Sequence, residues 1–355
     1  MHDHPKCVSK ICPTFILLGT PNGFNTVGGD ALISGNNIQG SVYGIYSDNT
    51  NIEVSNNTIN TTSGWTIRVI GDDGSSIIKH NLLETNSGRA FEVEEQTELE
   101  FINNTLIGTE SSDYAIYSNN YSTPIIRNNI IYGFQNAIYI ENNFINYNIS
   151  YNNLWQISNN LFEGTAMPAL IGNMISQNLN GDLSDIYYNI SMDPLFVNQE
   201  DSDYNLLPDS PCINAGLPVI LDPDETISDI GTHYYDNPPE VDPPGPGPSF
   251  TVSGSAYLSS ESDHSGIQVL FYNLVSEQDE DFTITNSDGS YNLDISPGLY
   301  SVVWSKEGYV PYGIDLLPIS EDIILDDAIL FAGSLQNISG TVSGNWSTGN
   351  VFSYR

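Results

Sequence analysis

Asn36-Asn37-Ile38, Asn56-Asn57-Thr58-Ile59, His80-Asn81-Leu82-Leu83, Asn103-Asn104-Thr105-Leu106, Asn128-Asn129-Ile130-Ile131 and Asn152-Asn153-Leu154 repeat one phrase along the chain. With Asn37, Asn57, Asn81, Asn104, Asn129 and Asn153 as its marker, the steps are 20, 24, 23, 25 and 24 residues. That is the period of a solenoid in which each unit closes one turn. Within each period lie two short runs of β-branched and aromatic residues and no segment of helical period. Before the marker stand Ile52-Glu53-Val54, Ile77-Ile78, Leu99-Glu100-Phe101-Ile102 and Ile125-Ile126; after it stand Gly44-Ile45-Tyr46-Ser47, Thr66-Ile67-Arg68-Val69, Ala90-Phe91-Glu92-Val93, Ala115-Ile116-Tyr117-Ser118 and Ala137-Ile138-Tyr139-Ile140. Short strands parted by Asn, Gly and Ser turns predict an all-β chain built on a right-handed parallel β-helix from about residue 36. The marker Asn has two uses in such a coil. It tolerates a left-handed corner, and its amide bonds to the Asn one coil above and below, giving a ladder through all six. His80 replaces the first Asn of a pair and reads as structural.

These coils resemble the Asn-rich right-handed parallel β-helix repeats of bacterial secreted proteins, the architecture of pectate-lyase-like and NosD-like proteins. Asp193-Pro194-Leu195-Phe196, Asp203-Tyr204-Asn205-Leu206, Ser210-Pro211-Cys212-Ile213-Asn214-Ala215-Gly216, Asp222-Pro223-Asp224 and Asp229-Ile230-Gly231 resemble the ending such domains show, with Glu225 where a Gly is usual. The resemblance spans residues 36–236, leaving 1–35 as an incomplete first coil. A solenoid whose last coil stood bare would expose its apolar floor and open strand edges, so residues 154–236 are expected to supply the final coils and a cap.

Asn237 to Pro248 carries Pro238-Pro239 and Pro243-Pro244-Gly245-Pro246-Gly247-Pro248, a polyproline-type linker. Beyond it, strands alternate with turns at Asp288-Gly289 and Pro297-Gly298. Thr285-Asn286-Ser287-Asp288-Gly289-Ser290-Tyr291, Ser296-Pro297-Gly298-Leu299-Tyr300 and Lys306-Glu307-Gly308-Tyr309 are similar to the carboxypeptidase regulatory-like family. That resemblance implies a small transthyretin-like β-sandwich over residues 249–333, an accessory or spacer module without catalytic residues. Residues 334–355 read as the start of a further β module, so the chain is expected to be part of a longer one.

The 355 residues carry 44 acidic and 8 basic side chains, a formal charge of −36. So few cations cannot neutralise phosphates, which excludes nucleic acid and anionic lipid as general partners. No apolar run reaches the ~20 residues of a membrane span. Cys7, Cys12 and Cys212 are too few and scattered for a disulfide framework, and His2-Asp3-His4 reads as tail. A secreted or cell-surface, monomeric protein is expected, its signal and anchor outside this sequence.

Three sets of residues could carry function. Period-two alternation with Ile45, Ile67, Phe91, Ile116 and Ile138 inward sets Tyr46, Arg68, Glu92, Tyr117 and Tyr139 outward in one column. Beside it run Gly44, Thr66, Ala90, Ala115 and Ala137, all small, so that a flat aromatic strip offers stacking for sugar rings. A polysaccharide lyase needs a base near carboxylates: Lys79 and Arg127 share an outward column two coils apart, with Glu53 and Glu100 in the next. The hydrolase signal is confined to Asp72-Asp73. Asp222, Asp224 and Asp229, and separately Glu200, Asp201 and Asp203, are candidate oxygen ligands for Ca²⁺; no other cofactor is expected. The expected function is a non-catalytic module presenting a β-helix face to a polysaccharide or cell-surface glycan, or for adhesion; the alternative is a polysaccharide lyase or glycoside hydrolase working on the outer face.

Overall fold

The structure, a computed structural model, describes residues 8–11, 17–18, 22–40, 42–71, 76–95, 99–119, 121–236, 248–276 and 280–333. Asp72-Asp73, Cys7, Cys12, His2 to His4, residues 237–247 of the linker and 334–355 lie outside them. The chain is all-β, and about six turns of a right-handed parallel solenoid make its larger part. Each coil has three faces. The first comprises the end of Tyr43–Ser55, then Ser76–Lys79, Leu99–Ile102, Ile125–Arg127 and Ile149–Ser150. The second comprises Asn37–Gly40, Thr58–Thr61, Leu82–Thr85, Thr105–Ile107, Ile130–Tyr132 and Asn153–Trp155. The third comprises the start of Tyr43–Ser55, then Trp65–Ile70, Arg89–Glu94, Tyr114–Ser118, Asn136–Ile140 and Asn160–Glu163. Every pairing between coils is parallel and in register, so one position of the repeat stacks on itself. Ile45, Ile67, Phe91, Ile116 and Ile138 form such a buried column, and the Phe91 and Phe101 rings stack across the interior at 4.3 Å.

The Asn phrase divides its two duties between its two residues. The left-handed corner belongs to the first: Gly35, Asn56, His80, Asn103, Asn128, Tyr151 and Tyr188 all have φ between 51° and 70°. The second residue forms the ladder. Asn57 Nδ2 donates to Asn81 Oδ1 at 2.9 Å, Asn81 to Asn104 at 3.0 Å and Asn104 to Asn129 at 3.1 Å. Each oxygen also accepts the backbone N–H of the preceding rung, as Asn104 Oδ1 does from Asn81. At both ends the expected rungs are corrected. Asn36, not Asn37, bonds to Asn57, and Asn152, not Asn153, receives Asn129. The reason is register: Asn37 pairs with Thr58, and Asn153 with Ile130, which are strand positions one residue past the rung. A further rung, Asn189, lies 37 residues beyond Asn152 and escapes the period altogether.

The expected terminal cap is also corrected. Residues 193–236 run mainly back along the outside of the second face, and of them Leu217 and Ile220 reach the apolar cluster at the solenoid's end. Phe196, Tyr204, Leu206, Cys212, Ile213 and Ile230 cover Leu82 and Ile130 there. Asn103 Nδ2 donates to Ser228 Oγ and to the Asp229 carbonyl, both at 3.0 Å, and Asn128 Oδ1 accepts the Leu217 N–H at 2.9 Å. The corner Asn side chains therefore point outward and clasp this flank. Burial pushes the Cys212 thiol up to about 12, and it accepts a bond from Asn153 Nδ2, an unreactive setting.

Residues 248–333 form a β-sandwich. One sheet holds Phe250–Leu258 between Ser290–Ile295 and the short Ile323–Ile324 and Ala328–Leu330; the other runs Glu280–Ile284, Gln268–Asn273, Gly298–Ser305, Tyr312–Ile319. Trp304, Phe271, Tyr300 and Tyr291 fill its core. This unit closes the end of the solenoid: Val275 and Leu299 are buried with Tyr151, Ile186, Tyr187 and Leu217, and Asn273 Nδ2 donates to Tyr188 Oη at 3.2 Å.

Candidate functional site

The third face carries two outward columns. Tyr46, Arg68, Glu92, Tyr117, Tyr139 and Glu163 pair in register from coil to coil. Beside them stand Tyr43, Trp65 and Arg89, then Tyr114 and Asn136. At ~4.8 Å per coil the strip is roughly 24 Å tall. The small residues expected beside the Tyr column are corrected: Ala90, Ala115, Ala137 and Thr66 are fully buried. Two consecutive inward residues mark the bend where the chain enters this face, and the corner has little room. A Cβ on Gly44 would meet Thr66 O at 2.4 Å and Ile59 Cγ2 at 2.5 Å. Alternation therefore slips by one, and two inward residues rather than one separate the outward columns. Tyr43, Trp65, Arg89 and Tyr114, which a strict period of two passes over, thereby join the strip.

Its rings are ordered. Tyr117 and Tyr139 stack at 4.7 Å and 6°, Tyr43 and Trp65 at 4.8 Å and 13°, and Tyr114 meets the first pair edge-on. The two arginines lie on rings, Arg68 4.4 Å above Trp65 and Arg89 3.7 Å above Tyr117. Between them sits Glu92. Its carboxylate meets Arg89 at 2.6 Å and Arg68 at 3.2 Å and accepts from the Trp65 indole N–H. These neighbours leave Glu92 only 2% exposed although its strand position faces outward. Burial pushes its carboxyl up to about 7, a hydrogen bond to Glu94 adds to the rise, and the arginines oppose it. Glu94 is held below its ordinary value by the same bond and by Arg68. A carboxyl pair split in this way fits acid–base chemistry, but Glu92 lies beneath Trp65 and the arginines, out of reach of a bound chain.

On the first face, Ser55, Lys79, Ile102, Arg127 and Ser150 share one column, and Glu53, Ile77, Glu100 and Ile125 the other. Lys79 is paired with Glu53 at 3.7 Å. Glu100 is exposed one coil beyond Ile77, and Arg127 is half-buried two coils from Lys79. The four residues thus share a face but only Lys79 and Glu53 come together.

The three candidate Ca²⁺ ligands lie near enough for Asp222 and Asp224 to add to the rise in proton affinity that burial gives Asp229, and each carboxylate is engaged within the flanking loops. Asp222 accepts the Asp229 N–H, Asp224 accepts the N–H and hydroxyl of Thr226, and the two Asp229 oxygens accept the Asn214 and Tyr235 N–H groups, all between 2.7 and 3.1 Å. They shape the flanking loops. Asp201 and Asp203 likewise accept from Asn198 and Asn205. Among the described residues no group of three His, Cys, Asp or Glu side chains could hold a metal ion.

Residues 22–177 match the family model described as a right handed beta helix region. No curated protein matches the chain. Among solved structures it is similar to an N-terminal interface mutant of a type II cohesin–X-dockerin complex from Acetivibrio cellulolyticus, at 21% identity, 24% of this chain, 58% of that chain and a TM-score of 0.21. A C-terminal interface mutant of that complex gives 22% identity with the same coverages and TM-score. The Bacillus anthracis TIE protein gives 12% identity, 24% of this chain, 17% of that chain and a TM-score of 0.19. The chain thus spans less than two thirds of each of these neighbours.

Proposed function

We propose that the solenoid is a non-catalytic carbohydrate-binding module of a secreted or cell-surface protein, with its third face as the binding surface. The observation that carries this reading is the outward strip of ordered rings, with Tyr117 stacked on Tyr139 and Trp65 on Tyr43. Because neighbouring rings and the two arginines cover the faces of Tyr117 and Trp65, the strip offers ring edges and tyrosine hydroxyls at coil spacing, which suit the C–H and hydroxyl groups of successive sugars. A neutral polysaccharide is the ligand class that fits. Both arginines are already matched by Glu92, Glu94 and Asp113, and Glu163 and Glu141 add negative charge beside the tyrosines. A uronate chain would meet no free cation on this strip.

Catalysis is disfavoured by position. The one carboxyl here with a raised proton affinity is buried, and a general acid must reach the atom it protonates. The sandwich is assigned to the carboxypeptidase regulatory-like family as a spacer. Supporting this is its turn, where Asp288 Oδ1 accepts the Ser290 N–H at 3.0 Å and Gly289 sits at φ 86°.

The test is incubation of the chain with neutral and acidic polysaccharides, assaying retention and new chain ends. Retention on neutral chains, weakened at least ten-fold in Tyr117→Ala/Tyr139→Ala, is expected. Cleavage of any chain, or retention indifferent to those substitutions, overturns the reading.

A further inference from the structure

The flank on the second face leaves a groove where it crosses the corner column. This cavity of about 750 Å³ is lined on one wall by Asn56, His80 and Asn103, and on the other by Asp222, His233 and Tyr234 among others. It lies on the corner between the first and second faces and shares no residue with the aromatic strip. We propose that this groove is a second, independent site that takes one or two neutral sugar units.

The volume lies within the range of small-molecule sites, ~300–1,000 Å³. Its chemistry is that of hydroxyl recognition. Asn56 and Asn205 offer amides, and Asp222 and Asp236 offer acceptors. The two imidazoles decide the ligand class. Burial holds both His80 and His233 below their ordinary value, with Lys79 adding to the effect at His80 and Asp203 opposing it at His233; an imidazole in its uncharged form offers one donor and one acceptor nitrogen. Among the described residues neither ring has a hydrogen-bond partner, and both line the groove. Tyr234, 48% exposed, and Leu221, 59% exposed, supply the apolar surface that a sugar face needs. Anions are disfavoured by the carboxylates of Asp222 and Asp236, with no cation among the described residues of the lining. A metal ion is disfavoured because among the described residues no three ligand side chains converge.

The walls are built rather than incidental. Asn103 holds the flank through Ser228 and Asp229, Gly231 N–H donates to the Asn128 carbonyl at 2.8 Å, and Thr232 N–H donates to Thr105 Oγ1 at 3.0 Å. The loop carrying His233 and Tyr234 is thus tied to the coils of Asn103 and Asn128, a pre-formed wall with less ordering left for a ligand to impose.

The test uses the full chain and saturation-transfer NMR with methyl glycosides and disaccharides of glucose, galactose, mannose and N-acetylglucosamine. His80→Asn keeps a residue that other coils carry at this left-handed corner, and His233→Ala and Tyr234→Ala leave the coil untouched. At least one of these sugars is expected to bind the Tyr117→Ala/Tyr139→Ala chain, whose strip is disabled, with affinity falling at least ten-fold when His80→Asn/His233→Ala is added. The mirror result, affinity lost with the tyrosines and kept without the histidines, would assign all binding to the strip and overturn the groove. No binding by any probe, or a melting shift with zinc alone that the histidine variants abolish, would overturn it equally.

Discussion

Asn189 ends the ladder on Asp185: its Nδ2 lies 3.1 and 3.3 Å from the two carboxylate oxygens, and Asp185 is fully buried. Where the next rung would stand, a carboxylate takes its place and also accepts the N–H groups of Gly172, Tyr187 and Asn189. A column of amides thus terminates inside the protein with its last donors satisfied.

Removing a middle rung should be costly. Asn104→Ala strips the Asn81 N–H of its acceptor and leaves the Ile78 and Ile102 carbonyls without the amide, a loss of about 3 kcal/mol. Asn37→Ala, at an exposed position, should change stability by less than ~0.5 kcal/mol. Urea unfolding of the two variants checks the contrast, and equal midpoints would refute the reassigned rung.

Glu225 holds φ 68°, a left-handed conformation that glycine adopts without penalty. Glu225→Gly should therefore stabilise the flank, by about 0.5–1 kcal/mol. A lower melting temperature in the variant would contradict this.

Stability should fall as pH rises from 6.5 to 8. Glu92 and Asp229 are pushed up to about 7 by burial, so the folded chain keeps protons that the unfolded chain has already released. Their contribution is whole below the unfolded carboxyl range and is lost as pH rises through about 7. His80 and His233 act in the opposite direction, but only below their ordinary value near 6.5. Calorimetric scans across this window check the sign, and Glu92→Gln should flatten the slope.

Deleting residues 249–333 uncovers Tyr151, Ile186, Tyr187 and Leu217 at the solenoid's end. Loss of these contacts should lower the melting temperature of residues 22–236 and expose surface that binds a hydrophobic dye. An unchanged melting curve would show that the sandwich is only tethered.

The repeat made the coil legible because a stacked register places identical positions above one another, so a 20–25-residue period announces the fold. Asn57, Asn81, Asn104 and Asn129 were readable for the same reason. Asn36 and Asn152 were misassigned by one residue because an Asn-Asn pair looks the same from either member, and only the corner dihedral tells them apart. Glu92 shows the limit in the site: alternation places it outward, but its burial comes from Trp65, Arg68 and Arg89 on this coil and the one before.

By itself the sequence determined the class of fold, the coil period, the strongly acidic surface and the Tyr46 to Tyr139 column, because each follows from local pattern and composition. Tertiary structure decided the rest: that Tyr43, Trp65 and Tyr114 join the strip, that the flank folds back along the second face, that His80 and His233 line one groove, and that the sandwich seals the last coil. These are contacts between residues tens to more than a hundred positions apart. Their energies depend on which surfaces meet, and no local pattern encodes that.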